Sequence, residues 1–173
     1  MLIRDALQTD AAGIARVHVN SWRSTYRGIV PDQVLDSLSL ERREQYWHDL
    51  LTDPKNQDIN LVADVPPVGV VGFASAGKER TGEFPYQGEL YAIYILKAYQ
   101  GRGVGRQLVE AIVLRLQEQG LTSMMVWVLK DNLFRAFYEA LGGQEVGEQD
   151  IKIGESNLVE VAYGWKDILS LTA

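Results

Sequence analysis

The stretch Gln100-Gly101-Arg102-Gly103-Val104-Gly105-Arg106 decides the fold, because it joins a Tyr- and Ile-rich strand candidate, Glu89 to Leu96, to a helical pattern that runs to Gln119. Backbone N–H groups at the start of a helix have no partner within the helix, and the positive end of the helix dipole lies beside them. The glycines let a ligand approach the backbone closely, and Arg102 and Arg106 add positive charge. The stretch therefore predicts an anion site of the kind that phosphates occupy.

Two familiar phosphate loops do not match this stretch. A dinucleotide fingerprint needs glycine where Arg106 stands, and a P-loop needs a Gly-Lys-Ser/Thr ending that is absent. The alternative is a flexible strand-to-helix connection that binds nothing. Three glycines and two arginines within seven residues favour the ligand site.

The elements on either side alternate between strand and helix patterns. Downstream, a buried-type strand is predicted over Met124 to Leu129, a short helix over Leu133 to Leu141, ended by Gly142-Gly143, and strands near Val146 to Ile153 and Leu158 to Trp165. Upstream, the predictions are a strand over Leu2 to Ala6, a helix from Thr9-Asp10 to about Trp22, helices starting at Pro31 and after Ser39, and a hairpin of Ile59 to Val65 with Val68 to Ala76. This order predicts a mixed α/β layer fold, with residues 1–173 as a single domain.

Composition and charge exclude several classes of protein. The chain has 173 residues, no cysteine, and 17 Lys+Arg against 23 Asp+Glu, a net charge of −6. Disulfide scaffolds, cysteine-ligated metal sites and cysteine nucleophiles are therefore excluded. The acidic balance without a long basic run argues against nucleic acid and membrane surfaces as partners. No signal-like or membrane-spanning apolar run is present, so we expect a cytoplasmic protein.

The pattern Gln100-x-x-Gly103-x-Gly105 after a strand resembles the acyl-CoA pyrophosphate loop of the GNAT N-acetyltransferase superfamily. The segment from Asn132 to Gly143 resembles that family's next motif, with its Asn, Tyr and terminal Leu-Gly, although Gly143 stands where the family often has an aromatic residue. The resemblance implies a mixed, mostly antiparallel central sheet flanked by helices, with splayed central strands that hold the acyl-CoA. It also implies acetyl-CoA as co-substrate and no metal.

The resemblance further implies which residues contact acetyl-CoA. The loop would bind the pyrophosphate, and the backbone of the preceding strand would pair with the pantetheine arm and offer an N–H to the thioester carbonyl. Arg135 and Lys130 are candidates for the CoA phosphates. The implied cofactor-binding set is Ile93, Tyr94, Ile95, Gln100, Gly101, Arg102, Gly103, Val104, Gly105, Arg106, Asn132 and Arg135.

Two residues are candidates for proton transfer. An amine with a pKa near 10.4 is neutral in only about one molecule in a few thousand at pH 7, so a base is needed. Glu89 stands four residues before Ile93, where some members of the family carry a catalytic glutamate; the alternative is a solvated residue at the start of a strand. Tyr138 matches the tyrosine that protonates the departing thiolate in the family. Its alternative role is packing beneath its helix.

The acceptor pocket is expected among the N-terminal helices and the loops between strands. Trp22, Tyr26 and the loop Glu83-Phe84-Pro85-Tyr86 offer aromatic walls, and Glu83 with Asp32 offers charge for a cationic amine. Of these, Trp22 has the spacing of a core residue, which makes Tyr86 the better candidate for a substrate contact. His18 and His48 lack neighbours at metal-ligand spacing and are interpreted as structural or surface residues.

Two functions compete at this point. The first is an N-acetyltransferase that moves the acetyl group from acetyl-CoA to a small-molecule amine or a protein amino group by direct attack in a ternary complex. The second is a catalytically silent acyl-CoA-binding module. Retention of Glu89 and Tyr138 favours the enzyme. The sequence leaves the oligomeric state open; dimers are frequent in the family, and a C-terminal strand such as Leu158 to Trp165 is a candidate for pairing across the subunits of a homodimer.

Overall fold

Seven strands form one mixed sheet in the computed structural model, which describes residues 1–172. Their order across the sheet is β1-β2-β3-β4-β5-β7-β6, and every neighbouring pair is antiparallel except β4 with β5. The strands are β1 (Leu2–Asp5), β2 (Ile59–Val65), β3 (Gly69–Lys78), β4 (Gly88–Ile95), β5 (Met124–Leu129), β6 (Gln144–Ile153) and β7 (Ser156–Trp165). The predicted mixed, mostly antiparallel sheet is confirmed.

Five α-helices accompany the sheet: α1 (Ala11–Thr25), α2 (Asp32–Asp36), α3 (Leu40–Thr52), α4 (Val104–Glu118) and α5 (Arg135–Ala140). Ser39 caps α3 as predicted, because its hydroxyl accepts a hydrogen bond from the Arg42 N–H at 3.2 Å. The last helix starts two residues later than predicted, since the Asn132 side chain accepts the N–H of Phe134 in a turn. Within residues 1–172, no helix has the length and apolar character needed to cross a membrane.

The helices cover both faces of the sheet, and the alternation of side chains along the strands explains why. Val62 and Phe73 point to the face covered by α1 and α3, whereas Leu61 and Ala74 point to the opposite face, under α4. The side chains of α4 that fill this second core are spaced by three and four residues: Val104, Leu108, Val109, Ile112, Val113 and Leu116. Each half of the core therefore buries one apolar face of the sheet.

The centre of the sheet splits between β4 and β5. These parallel strands pair only where Gly88–Leu90 faces Met124–Val126. A bulge follows at once, because Ser75 of β3 lies opposite Ala92 while Ala76 lies opposite Leu90, which leaves Tyr91 as an extra residue on β4. Beyond this point β4 and β5 diverge, and the predicted splayed strands are confirmed.

The C-terminal strand β7 lies inside the sheet. It pairs with β5 over Glu160–Trp165 and with β6 over Ser156–Gly164. From Glu160 to Gly164 both edges of the strand are therefore occupied within the chain, so the predicted pairing of Leu158 to Trp165 across subunits is wrong. The two edges of the sheet are β1 and β6.

Candidate active site

A cleft of about 400 Å³ opens where β4 and β5 diverge, between the start of α4 and α5. Most residues of the predicted cofactor set lie on its wall, although they come from three segments of the chain. These lining residues are Ile93, Tyr94, Ile95, Gln100, Gly101, Gly103, Val104, Gly105, Arg106 and Asn132, together with Tyr138. We call this space the β4–β5 cleft.

The loop before α4 presents free backbone N–H groups to the cleft. Gly103 is the N-cap of α4 with φ +78°, and Gly101 has φ +70°, so both occupy the left-handed region that favours glycine. The first helical hydrogen bond runs from the N–H of Gln107 to the carbonyl of Gly103. The three preceding N–H groups have no helical partner and lie at the positive end of the helix dipole. This arrangement suits a pyrophosphate.

The loop is fixed to the end of β4. The Gln100 side-chain amide donates to the Ile95 carbonyl at 3.0 Å, and the Ser21 hydroxyl donates to the same oxygen at 3.4 Å. From Tyr91 onward, the edge of β4 that faces the cleft has no β5 partner. An extended chain that carries amide groups, such as a pantetheine arm, can pair with that edge.

Tyr138 lies on the wall of the cleft within a cluster of aromatic rings. It is 8% exposed, with its ring 6.0 Å from that of Tyr163 and 6.4 Å from that of Trp165. Burial raises the pKa of the Tyr138 hydroxyl above its ordinary value. The phenol therefore keeps its proton at neutral and mildly alkaline pH.

Asn132 connects α5 to the end of α1. Its side-chain N–H donates to the Tyr26 hydroxyl at 3.4 Å, and its oxygen accepts the N–H of Phe134 at 2.9 Å. Burial also raises the pKa of Tyr26. Tyr26 and Tyr138 are thus both protonated hydroxyls on the wall of the cleft.

A second cavity, of about 510 Å³, lies next to the β4–β5 cleft. The two spaces share Tyr26, Tyr91, Tyr94, Trp127 and Val128. Its remaining wall comes from α1, the loop between β3 and β4, the start of β4, the end of β5 and the β6–β7 hairpin: Trp22, Arg80, Thr81, Glu89, Leu90, Leu129, Gln149, Ile151, Ile153 and Glu160. We call this space the second cavity.

Glu89 faces the second cavity and forms an ion pair with Arg80. Its carboxylate accepts hydrogen bonds from Arg80 Nη2 at 2.5 Å, Nε at 3.2 Å and the Arg80 backbone N–H at 3.2 Å. The Arg80 guanidinium also lies 4.4 Å from the centre of the Tyr91 ring. Glu89 is only 2% exposed, so its alternative interpretation as a solvated residue at the strand start is wrong.

Two basic residues of the predicted cofactor set, Arg102 and Arg135, do not line the cleft, and neither does Lys130, the other candidate for the CoA phosphates. The Arg102 guanidinium lies 5.6 Å from the centre of the Tyr99 ring on the exposed side of the loop. Arg135 is half-buried near Tyr163, and Lys130 forms a 2.6 Å ion pair with Glu148. Arg106 is the one guanidinium group on the cleft wall among residues 1–172.

The predicted acceptor loop is wrong, because it packs away from both spaces. Tyr86 is buried in the place that Gly164 leaves free, and Phe84 packs edge-on against Trp127. Glu83 is exposed, and Asp32 forms a surface ion pair with Arg27 at 3.0 Å. Neither carboxylate reaches the second cavity.

Trp22 and Tyr26 line the second cavity, and Trp22 is half-buried and also packs against the buried cluster around Leu35 and Leu129, as its core-type spacing predicts. Sequence reasoning missed Arg80, Trp127 and Glu160 altogether. Arg80 follows a strand in a polar loop, and Glu160 is one polar residue in an alternating strand, so neither has a local signal. They reach the cavity through the pairing of distant strands.

The two histidines have structural positions, as interpreted from the sequence. His18 stacks against Tyr94 and Phe73, and burial lowers the pKa of its imidazole to about 3. His48 lies on the surface, with Nε2 2.6 Å from the side-chain nitrogen of Gln8. Over residues 1–172, His, Asp and Glu side chains form no group of three that could hold a metal ion.

Comparisons with known proteins agree with this geometry. The family model of FR47-like proteins matches residues 80–151, which contain β4, the loop before α4, β5 and α5. The chain is 38% identical to the uncharacterized N-acetyltransferase YuaI of Bacillus subtilis, over 98% of this chain and 95% of YuaI. The chain belongs to the GNAT N-acetyltransferase superfamily. It is an acetyl-CoA-dependent N-acetyltransferase, and the predicted family, activity and co-substrate are confirmed.

Solved structures of the superfamily share the fold of this GNAT enzyme. A ribosomal-protein-alanine N-acetyltransferase from Brucella melitensis superposes with a TM-score of 0.73 at 23% identity, over 95% of this chain and 99% of that one. The protein yncA of Salmonella typhimurium, solved with its cofactor acetyl-CoA, gives a TM-score of 0.67 at 22% identity, over 95% and 92% of the two chains. The sheet with its split centre is therefore the GNAT fold.

Proposed function

We propose that this GNAT enzyme binds acetyl-CoA in the β4–β5 cleft, binds a primary amine in the second cavity, and transfers the acetyl group directly between them. The observation that carries the proposal is the junction of the two spaces at Tyr26, Tyr91, Tyr94, Trp127 and Val128. Two reactants held in neighbouring spaces can meet without release of an intermediate.

In this proposal the start of α4 holds the CoA pyrophosphate. The N–H groups of Val104, Gly105 and Arg106 supply hydrogen bonds, and the Arg106 side chain supplies charge. The free edge of β4 over Ile93, Tyr94 and Ile95 pairs with the pantetheine arm. A backbone N–H from the same edge stabilises the negative charge that develops on the thioester oxygen.

Tyr138 is the proposed acid. The CoA thiolate leaves as an anion and accepts a proton from the Tyr138 hydroxyl. The support for this role is that Tyr138 lines the cleft in which the thioester of acetyl-CoA is proposed to lie. A phenol that stays protonated at working pH is available as a donor in every turnover.

Glu89 is the proposed proton acceptor for the amine, directly or through a water molecule. It is the carboxylate of the second cavity nearest to the point where β4 and β5 separate, one residue before Leu90. Arg80 holds the carboxylate in place through both of its oxygens. Removal of the amine proton is needed because the neutral amine is the nucleophile.

The test of this function compares Tyr138→Phe with Tyr163→Phe. Tyr163 belongs to the same ring cluster, but its hydroxyl donates to Glu139 at 2.7 Å and does not face the cleft. We expect Tyr138→Phe to lower kcat by about 100-fold, the scale of one general acid. Tyr163→Phe should keep kcat within about threefold, and both variants should keep the acetyl-CoA affinity of the parent enzyme.

The measurements are release of free thiol for kcat and calorimetric titration for acetyl-CoA affinity. Single-turnover rates verify that chemistry is the limiting step. A Tyr138→Phe enzyme with the parent single-turnover rate would remove Tyr138 from the acid role. A parent enzyme that does not bind acetyl-CoA would reject the assignment of the cleft.

Three further predictions accompany this proposal; they concern the location of the protein, its domain organisation and its oligomeric state. We propose a cytoplasmic location and a single domain over residues 1–173, as the sequence predicts. A homodimer also remains a prediction, but the strand available for pairing is the edge strand β6 or β1 and not β7.

A further inference from the structure

The second cavity has one carboxylate that no cation of the described chain neutralises. Three of its lining residues are charged: Arg80, Glu89 and Glu160. Arg80 and Glu89 compensate each other through their ion pair. Glu160 accepts a hydrogen bond from the Gln149 side chain at 3.1 Å, and within residues 1–172 it forms no salt bridge. The wall of the cavity therefore carries a net charge of −1.

The rest of that wall is mostly apolar and largely aromatic. Two tryptophans and three tyrosines contribute rings from α1, β4 and β5: Trp22, Tyr26, Tyr91, Tyr94 and Trp127. Burial raises the pKa of Tyr26, Tyr91 and Tyr94, so these rings are neutral and add no charge. Aromatic faces attract both a planar apolar body and a cation.

The volume of the second cavity suits a small molecule. Cavities of about 300–1,000 Å³ are typical of small-ligand sites, and this one measures about 510 Å³. A second positive charge in the ligand would find no second free carboxylate on this wall, because Glu89 is already paired with Arg80. A ligand carboxylate would face Glu160, or would have to compete with Glu89 for Arg80.

We propose that the acceptor is a small primary amine with a single positive charge and an aromatic body, whose ammonium group is drawn into the second cavity by Glu160 and whose ring packs among the five aromatic side chains. This inference rests on the proposed function, because it takes the second cavity as the acceptor side. It names the substrate class that the proposed function leaves open.

Four probe amines separate the features of this class. 2-Phenylethylamine has one charge and an aromatic ring, and phenylalanine adds a carboxylate to the same body. Butane-1,4-diamine has two charges and no ring, and a short peptide with a free N-terminus represents a protein acceptor. Initial rates of thiol release from acetyl-CoA give kcat/KM for each. We expect 2-phenylethylamine to exceed each of the other three by at least about tenfold, a difference of about 1.4 kcal/mol.

The role of Glu160 is tested with Glu160→Gln, which keeps the size of the side chain and an acceptor for Gln149. We expect the KM for 2-phenylethylamine to rise by about tenfold or more, as for loss of one hydrogen bond to a charged group, with little change in kcat. The control is Glu148→Gln on β6, because Glu148 pairs with Lys130 outside the cavity. That variant should keep the parent KM.

Each outcome decides a different claim. Equal or faster reaction of phenylalanine, the diamine or the peptide overturns the proposed class, and so does absence of turnover with all four amines. An unchanged KM in Glu160→Gln overturns the role of Glu160. Calorimetric binding of acetyl-CoA is measured in parallel. If acetyl-CoA binds while the amines fail, the acceptor inference is wrong and the assignment of the cleft stands.

Discussion

Replacing Gly143 with alanine tests whether Tyr138 depends on tight packing at the end of α5. A Cβ at position 143 would lie 2.6 Å from Cζ2 of Trp165 and 2.9 Å from the backbone oxygen of Tyr138. Carbon atoms in contact prefer separations of about 3.5–4.0 Å, so one of these groups must move by about 1 Å. The Trp165 ring fills the space beside Gly143, and its Nε1 donates to the Leu141 carbonyl at 2.9 Å.

Two magnitudes follow from that displacement. Overpacking of a buried contact costs about 1–3 kcal/mol of unfolding free energy. A shift of about 1 Å in a catalytic group lowers the rate by up to about 100-fold. We therefore expect Gly143→Ala to lose both stability and kcat. Acetyl-CoA affinity should stay near the parent value, because the loop before α4 lies in a different element.

The matched control is the neighbouring residue. Gly142 has φ +79°, and a Cβ there would meet no atom within 4 Å, so Gly142→Ala introduces backbone strain without a clash. That strain costs about 1–2 kcal/mol. Urea unfolding measures the stability of both variants, and thiol release measures kcat. If Gly143→Ala has the same kcat as Gly142→Ala, the packing of Trp165 does not position Tyr138 and our reasoning is wrong.

Two further predictions concern buried charge. Arg80→Met should lower the unfolding free energy by about 2 kcal/mol, because it leaves the 2%-exposed Glu89 without its partner, a loss reduced by the 60% exposure of the Arg80 side chain. The control is Arg27→Met, which breaks a surface ion pair and should cost clearly less. Equal losses of the two variants in urea titrations would contradict the pairing argument. His18 has its pKa lowered to about 3 by burial, so between about pH 6.5 and pH 3 the unfolded chain takes up a proton that the folded chain does not. The unfolding free energy should therefore decrease by up to about 1.4 kcal/mol for each unit by which the pH is lowered in that window. Urea titrations from pH 7 to pH 4 should show a smaller decrease for His18→Phe than for the parent enzyme.

The parts of the fold that could be predicted from the sequence are those with a local cause. The glycine pattern of residues 100–106 reports backbone conformations that the loop itself requires, and Gly101 and Gly103 have positive φ. Short runs rich in β-branched, aromatic and other apolar residues located the strands. Tyr138 was singled out by the motif from Asn132 to Gly143. The residues of that motif belong to one continuous segment, so their spacing in the sequence determines which of them lie close together.

The acceptor side could not be predicted, because its wall is assembled by strand register. Arg80 meets Glu89 across the hairpin of β3 and β4, and Glu160 reaches the cavity through the pairing of β7 with β5. Tyr86 illustrates the opposite error, because it was predicted to contact the substrate and is buried elsewhere. Its loop has the composition of an exposed turn, yet the missing side chain of Gly164 creates a place for its ring. Such complementarity between distant residues leaves no pattern along the chain.

Direct transfer to the amine is the route that this junction favours. A two-step route would need a side chain that accepts the acetyl group first, and the chain has no cysteine. The nucleophilic atoms shared by the two spaces are the hydroxyls of Tyr26, Tyr91 and Tyr94, whose pKa values are all raised by burial. A neutral phenol is a poor nucleophile. In the proposed function the deprotonated amine is the strongest nucleophile on the acceptor side, and it lies next to the thioester because the two spaces share five lining residues.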